Sequence, residues 1–127
     1  MTELKKIACV EDDPDIRSII KLALSDLGGF EIALYQSGME ALERAEGFLP
    51  QLIMLDVMMP GIDGMETLKR LRQQQSLLKT PAIFMTAKAQ PNEVQTYITA
   101  GAIGVITKPF DPMSLADHIK KMWRDAA

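Results

Sequence analysis

Five short apolar runs, at residues 6–10, 30–35, 51–55, 82–85 and 104–107, alternate along the chain with longer segments whose apolar residues recur every three or four positions. No other feature narrows the fold so far. Parallel strands cannot be joined by tight hairpins, so each needs a crossover of about a dozen residues or more, usually filled by a helix. Short apolar strands alternating with amphipathic helices therefore predict an α/β protein with a parallel sheet.

The intervening segments carry helix signals of their own. Between the first two runs Ile16, Ile19, Ile20, Ala23, Leu24 and Leu27 repeat at helical spacing, Pro14 suits a first turn, and Gly28-Gly29 ends the segment. The second helix is expected from Ser37, with Glu40 completing a capping box, and buries Leu42 and Ala45. The third follows Gly64 and carries Met65, Leu68 and Leu71. The fourth follows Pro91 with Val94, Tyr97 and Ile98, and the fifth follows Pro112 with Leu115, Ile119 and Met122.

Composition bounds what such a domain does. With 127 residues, 47% hydrophobic and 24% charged, the chain matches one globular domain with a sizeable core. No apolar run reaches the roughly 18 residues needed to span a bilayer, so a cytoplasmic protein without membrane contact is expected. A net charge of −3 argues against direct nucleic-acid binding, which needs clustered Lys and Arg to displace phosphate counterions. Cys9, the single cysteine, lies within an apolar run and reads as a small buried hydrophobe. Neither a repeat nor a linker-like tract interrupts residues 1–127, and no output domain is expected.

Right-handed helical crossovers would put the C-terminal ends of all five strands along one edge of the sheet. In a flavodoxin-like (βα)5 three-layer sandwich, strand order 2-1-3-4-5, the first and third strands are neighbours at the topological switch point where ligands bind. The polar residues that follow the runs then become one cluster: Glu11-Asp12-Asp13 after the first, Asp56 after the third, Thr86 after the fourth and Lys108 after the fifth. Adjacent strands lie about 4.8 Å apart, which sets Asp56 beside Glu11 and Asp12. Each carboxylate pair at about 5 Å repels by about 3 kcal/mol at an effective dielectric of about 20, more than one lysine offsets. Either a carboxylate takes a proton or a hard divalent cation binds; Mg²⁺, which suits a few carboxylates, water and phosphate oxygens, is favoured. A phosphoryl group on Asp56 would find its charge met by the cation, Lys108 and the Thr86 hydroxyl.

The residues that carry this pattern are Val-Glu-Asp-Asp-Pro-Asp-Ile-Arg from Val10, Asp-Val-Met-Met-Pro-Gly-Ile-Asp-Gly from Asp56, Met-Thr-Ala from Met85 and Thr-Lys-Pro-Phe from Thr107. In this order, over essentially the whole chain, they resemble the receiver domains of two-component response regulators. The resemblance implies that Glu11 and Asp12 hold Mg²⁺, with Asp12 favoured as the direct ligand, that Asp56 is phosphorylated, and that Met58 offers its backbone carbonyl to the metal. It implies that Thr86 is the switch hydroxyl and Lys108 its partner at the phosphoryl group, with Pro109 next, often across a cis peptide bond. It also implies a phosphohistidine donor, on a sensor histidine kinase or histidine phosphotransfer protein, and downstream protein contact through the fourth and fifth helices.

Two positions depart from the family pattern. Val105 stands where many receivers have the aromatic residue that packs inward as the threonine moves. Met58 and Lys88 occupy the places whose side chains help or hinder attacking water; neither offers a strong acceptor to orient it, so slow self-dephosphorylation is expected.

Two other functions fit parts of the pattern. A Mg²⁺-dependent aspartyl phosphatase also uses an Asp nucleophile on an α/β sheet, but places it after the first strand as Asp-x-Asp and encloses substrate under a cap. A docking module without phosphorylation would not need all five site residues. The chain also fits the receiver of a larger regulator or hybrid kinase. Among the remaining residues, Asp63 reads as a helix cap, His118 as a surface residue and most of the nine methionines as core, with Met58 and Met59 bordering the site. Tyr97 and Trp123 are expected partly in the core.

Overall fold

The apolar runs become strands because they are covered on both sides, and their paired order sets the architecture. In a computed structural model, which describes residues 2–126, β1 (Lys6–Val10), β2 (Glu31–Tyr35), β3 (Leu52–Asp56), β4 (Ala82–Thr86) and β5 (Ala102–Thr107) form one parallel sheet in the order β2-β1-β3-β4-β5. This is the flavodoxin-like order expected from the sequence. The central β3 and β4 are buried at every position, whereas edge strand β2 is only partly covered.

Alternate strand residues feed two cores. Ala8, Val10, Ile53, Leu55 and Phe84 pack with α2 (Gly38–Phe48), α3 (Gly64–Leu71) and α4 (Pro91–Thr99) through Ala41, Ala45, Leu68, Leu71 and Tyr97. Ile7, Cys9, Leu52, Met54, Ile83 and Met85 pack on the other face with α1 (Pro14–Ile20) and α5 (Leu115–Asp125) through Ile20, Leu115 and Ile119. Burying each such large side chain contributes about 1.5–3 kcal/mol, so this two-sided burial is what holds the strand ends in register at the site.

Local signals explain most boundaries. Asp13 Oδ1 accepts the Asp15 amide at 2.8 Å and Asp63 Oδ1 accepts the Glu66 amide at 2.8 Å, so both aspartates cap helices. Ser37 caps α2 by accepting the Glu40 amide at 3.1 Å, but no returning bond from Glu40 completes the expected box. The reciprocal type of contact appears instead at α4, where the Glu93 carboxylate accepts the Gln90 amide at 3.1 Å.

Several expectations need correction. The helix after β1 continues beyond Ile20 as a π-helical segment, Lys21–Asp26, in which the Leu27 amide reaches back to the Leu22 carbonyl. The wider turn shifts the phase of the apolar stripe and leaves Leu27 53% exposed. Ile19, also counted in that stripe, is 39% exposed. The fifth strand begins two residues before the apolar run because Gly101, at φ 109°, reverses the chain directly after α4. Helix α5 starts at Leu115 rather than just after Pro112, since Asp111 first caps a separate turn through the Met113 amide.

Candidate functional site

The parallel register brings the strand ends together. Val10 pairs with Leu55 and Asp56 with Met85, so the residues just beyond β1 and at the ends of β3 and β4 share one edge. Glu11, Asp12 and Asp56 each offer a carboxylate oxygen, and these atoms all lie within 4.8 Å of one another. Glu11 and Asp56 are buried, Asp12 half-buried.

Lys108 reaches this cluster from β5 across two strands. Its Nζ lies 2.6 Å from Glu11 Oε1 and 3.1 Å from Asp56 Oδ1. The Lys108 amide donates to the Thr86 carbonyl at 2.8 Å, which ties the start of this loop to the end of β4. Lys108–Pro109 is a cis peptide bond, as the resemblance implied.

Charge is unbalanced here: three carboxylates face one ammonium. Burial pushes Glu11 up to about 7, against the hydrogen bonds from Lys108 and the Asp13 amide, with repulsion from Asp56 adding to the rise. Burial by itself would lower Lys108, but the hydrogen bonds and charge of Glu11 and Asp56 outweigh it and raise the ammonium above its usual value. A donor set made only of oxygen, excess negative charge and half-open access through Asp12 suit a hard divalent cation.

Backbone support surrounds the cluster. The Met58 amide donates to Asp56 Oδ1 at 3.3 Å, and the Gly64 amide donates to the Val57 carbonyl at 2.9 Å. A Cβ at Gly64 would lie 2.2 Å from the Asp56 carbonyl oxygen, so only glycine allows α3 to start this close to the loop. Met58 is 64% exposed at the rim, while Met59, expected beside it at the site, turns into the core at 8% exposure.

Thr86 is buried at the end of β4, and its Oγ1 accepts the Lys88 amide at 2.9 Å. Lys88 is exposed, and Val105 is half-buried against the core opposite Phe84. Sequence reasoning missed Arg17, whose Nη1 donates to the carbonyls of Glu11 at 2.8 Å and Asp12 at 2.9 Å and so clasps the acidic loop. The available signal was a basic residue one turn into the helix after an acidic pair. His118 is exposed, as expected.

Comparison with known proteins agrees with this arrangement. Residues 7–120 match the family model described as the response regulator receiver domain. The chain is 37% identical over 120 residues to the alkaline phosphatase synthesis transcriptional regulatory protein PhoP of Bacillus subtilis, covering 94% of this chain and 49% of that protein. Among solved structures, the chemotaxis response regulator CheY4 of Vibrio cholerae superposes with a TM-score of 0.86 at 31% identity, covering 94% of this chain and 99% of that one. The receiver domain of sensor histidine kinase PA1611 from Pseudomonas aeruginosa, solved with a magnesium ion coordinated in its active site cleft, superposes with a TM-score of 0.81 at 28% identity, covering 95% and 98%.

This chain belongs to the response regulator receiver domain family, the signalling modules of two-component systems. It spans about half the length of the first curated relatives it matches. Among the described residues, no helix is long and apolar enough to cross a membrane.

Proposed function

We propose that Asp56 accepts a phosphoryl group from a phosphohistidine on a sensor kinase or phosphotransfer protein, and that the modified site switches protein contacts. The observation that carries this reading is Asp56 itself: a buried carboxylate with Lys108 Nζ 3.1 Å from Oδ1 and two further carboxylates close by. An Asp56 oxygen attacks phosphorus, the phosphorus–nitrogen bond breaks, and the electron pair returns to the imidazole, leaving an acyl phosphate. Glu11, Asp12, Asp56 and the Met58 carbonyl would hold Mg²⁺, which when bound offsets the charge of the transferring oxygens.

The rest of the chemistry falls to side chains. Lys108 is placed to follow the phosphoryl oxygens, and the Thr86 hydroxyl to donate to one of them after rotation. An apolar groove of about 450 Å³, lined by Ile16, Ile19, Ala87, Lys108, Pro109 and Phe110, opens beside Lys108 and gives a donor helix a surface to rest on. Exposed Ile98 on α4 suits a downstream partner on the opposite flank.

The acyl phosphate is long-lived in this reading. Neither the Met58 thioether nor the Lys88 ammonium can accept a strong hydrogen bond from attacking water. Treatment with acetyl phosphate and Mg²⁺, followed by intact mass, should add one phosphoryl group to the wild type and none to Asp56→Ala. Rapid loss of that group after the donor is removed, with no phosphatase present, would contradict the slow self-dephosphorylation.

A further inference from the structure

Two hydrogen bonds meet on one residue of the connection between β4 and α4. The Lys88 amide donates to Thr86 Oγ1 at 2.9 Å, and the Lys88 carbonyl accepts from the Tyr97 hydroxyl at 3.2 Å. Tyr97 is the one buried residue of α4, and its ring enters the core beneath that helix. That ring lies 5.5 Å from the Phe84 ring, centroid to centroid, at an interplanar angle of 53°. Phe84 is in turn the cross-strand partner of Val105. The layer that lacks an aromatic residue on β5 therefore receives one from α4.

We propose that Tyr97 is the positioning residue that carries the state of the Thr86 hydroxyl to α4. The proposal rests on Asp56 accepting a phosphoryl group. A threonine hydroxyl has one hydrogen to donate and two lone pairs, and in this structure one lone pair serves Lys88. Rotation of Thr86 toward a phosphoryl oxygen takes that acceptor away. The Lys88 amide must then find another partner, because a part-buried N–H left unpaired loses its hydrogen bond without regaining a full one from water. The amide and carbonyl of Lys88 flank the same Cα, so a change in its backbone angles to satisfy the first also moves the second. The Lys88 side chain is exposed. The Tyr97 hydroxyl follows or loses its acceptor, and the helix that carries this ring shifts with it.

The test is amide NMR on the whole chain, isotope-labelled, before and after acetyl phosphate and Mg²⁺, with intact mass measured on the same samples. Tyr97→Phe keeps the ring on Phe84 and removes only the hydroxyl. The expected result is equal phosphorylation of both proteins, equal shift changes at Val57 and Met58, and at least a threefold smaller change across residues 91–99 in Tyr97→Phe. Equal changes across residues 91–99 in the two proteins overturn the proposal. Should Tyr97→Phe fail to fold, the wild type decides: the Lys88 amide and the Tyr97 ring must shift together on phosphorylation, and a stationary Tyr97 ring overturns it. A wild type that takes no phosphoryl group overturns the function proposed above and this inference together, whereas a phosphorylated wild type whose residues 91–99 respond no differently from those of Tyr97→Phe removes this inference alone.

Discussion

The Lys108 ammonium lies 2.6 Å from Glu11 Oε1, joining residues 97 positions apart across the two strands that separate β5 from β1. Lys108 also contacts Asp56, so one cation bridges Glu11 and the carboxylate proposed to react. Lys108→Met leaves a buried Glu11 carboxylate without its cation. Removing one partner of a buried pair costs about 3 kcal/mol at the lower end of its range. Urea unfolding in the presence of chelator should show a loss of that order, and phosphoryl acceptance should slow; an unchanged midpoint would show that the bridge carries no weight.

Asp12 brings a carboxylate oxygen within 4.8 Å of those of Glu11 and Asp56, and among the described residues it has no ion-pair partner. Without a cation its charge only adds repulsion. Asp12→Asn should therefore stabilise the metal-free protein by about 1 kcal/mol, while the same substitution weakens the gain from Mg²⁺. For the wild type that gain is about 1.4 kcal/mol at ten times the dissociation constant. Thermal unfolding with chelator and with Mg²⁺ reads both; a variant less stable than wild type in chelator contradicts the electrostatic account.

Gly64 begins α3 against the backbone of Asp56, where an added Cβ would lie 2.2 Å from the carbonyl oxygen. The neighbour is main chain and cannot swing aside. Gly64→Ala should destabilise by about 1–3 kcal/mol and displace the loop that positions Asp56, lowering phosphoryl acceptance as well. Denaturation and phosphorylation by intact mass check the two effects, and a variant with wild-type values in both would refute the close-packing argument.

The five strands were legible because β1, β3 and β4 are buried on both faces and so appear as unbroken apolar runs. The site was legible for a related reason: in a parallel sheet, polar residues that end such runs must converge on one edge. What escaped depends on contacts that leave no periodic trace. The π-helical segment at Lys21–Asp26 changes the helical phase without a proline or glycine to announce it, and so misplaced Leu27. Arg17 acts through main-chain carbonyls and Tyr97 through the Lys88 carbonyl, acceptors that every sequence contains. Met59 and Met58 are indistinguishable in sequence, yet one is core and the other rim.

Burial pushes the Cys9 thiol up to about 12 from an ordinary 9.0, with the Glu11 charge adding to the rise. Between those values the folded chain holds a proton that the unfolded chain has lost. Its contribution to stability is intact below pH 9.0 and is lost as pH rises toward about 12. The slope for this one group is up to about 1.4 kcal/mol per pH unit. Urea midpoints measured across this range should fall less steeply for Cys9→Ala than for the wild type; parallel curves would contradict it. At neutral pH the folded protein should resist thiol alkylation until it unfolds.

Transfer of label from a phosphohistidine donor tests the central claim most directly. A histidine kinase or phosphotransfer domain carrying labelled phosphate is mixed with the chain and Mg²⁺, and the acceptor residue is mapped in wild type and in Asp56→Asn. The account predicts that label moves to the wild type alone, on Asp56, as a hydroxylamine-sensitive acyl phosphate, and that chelator prevents the transfer. Label on Asp56→Asn to the same extent, or on a residue other than Asp56 in the wild type, would contradict it.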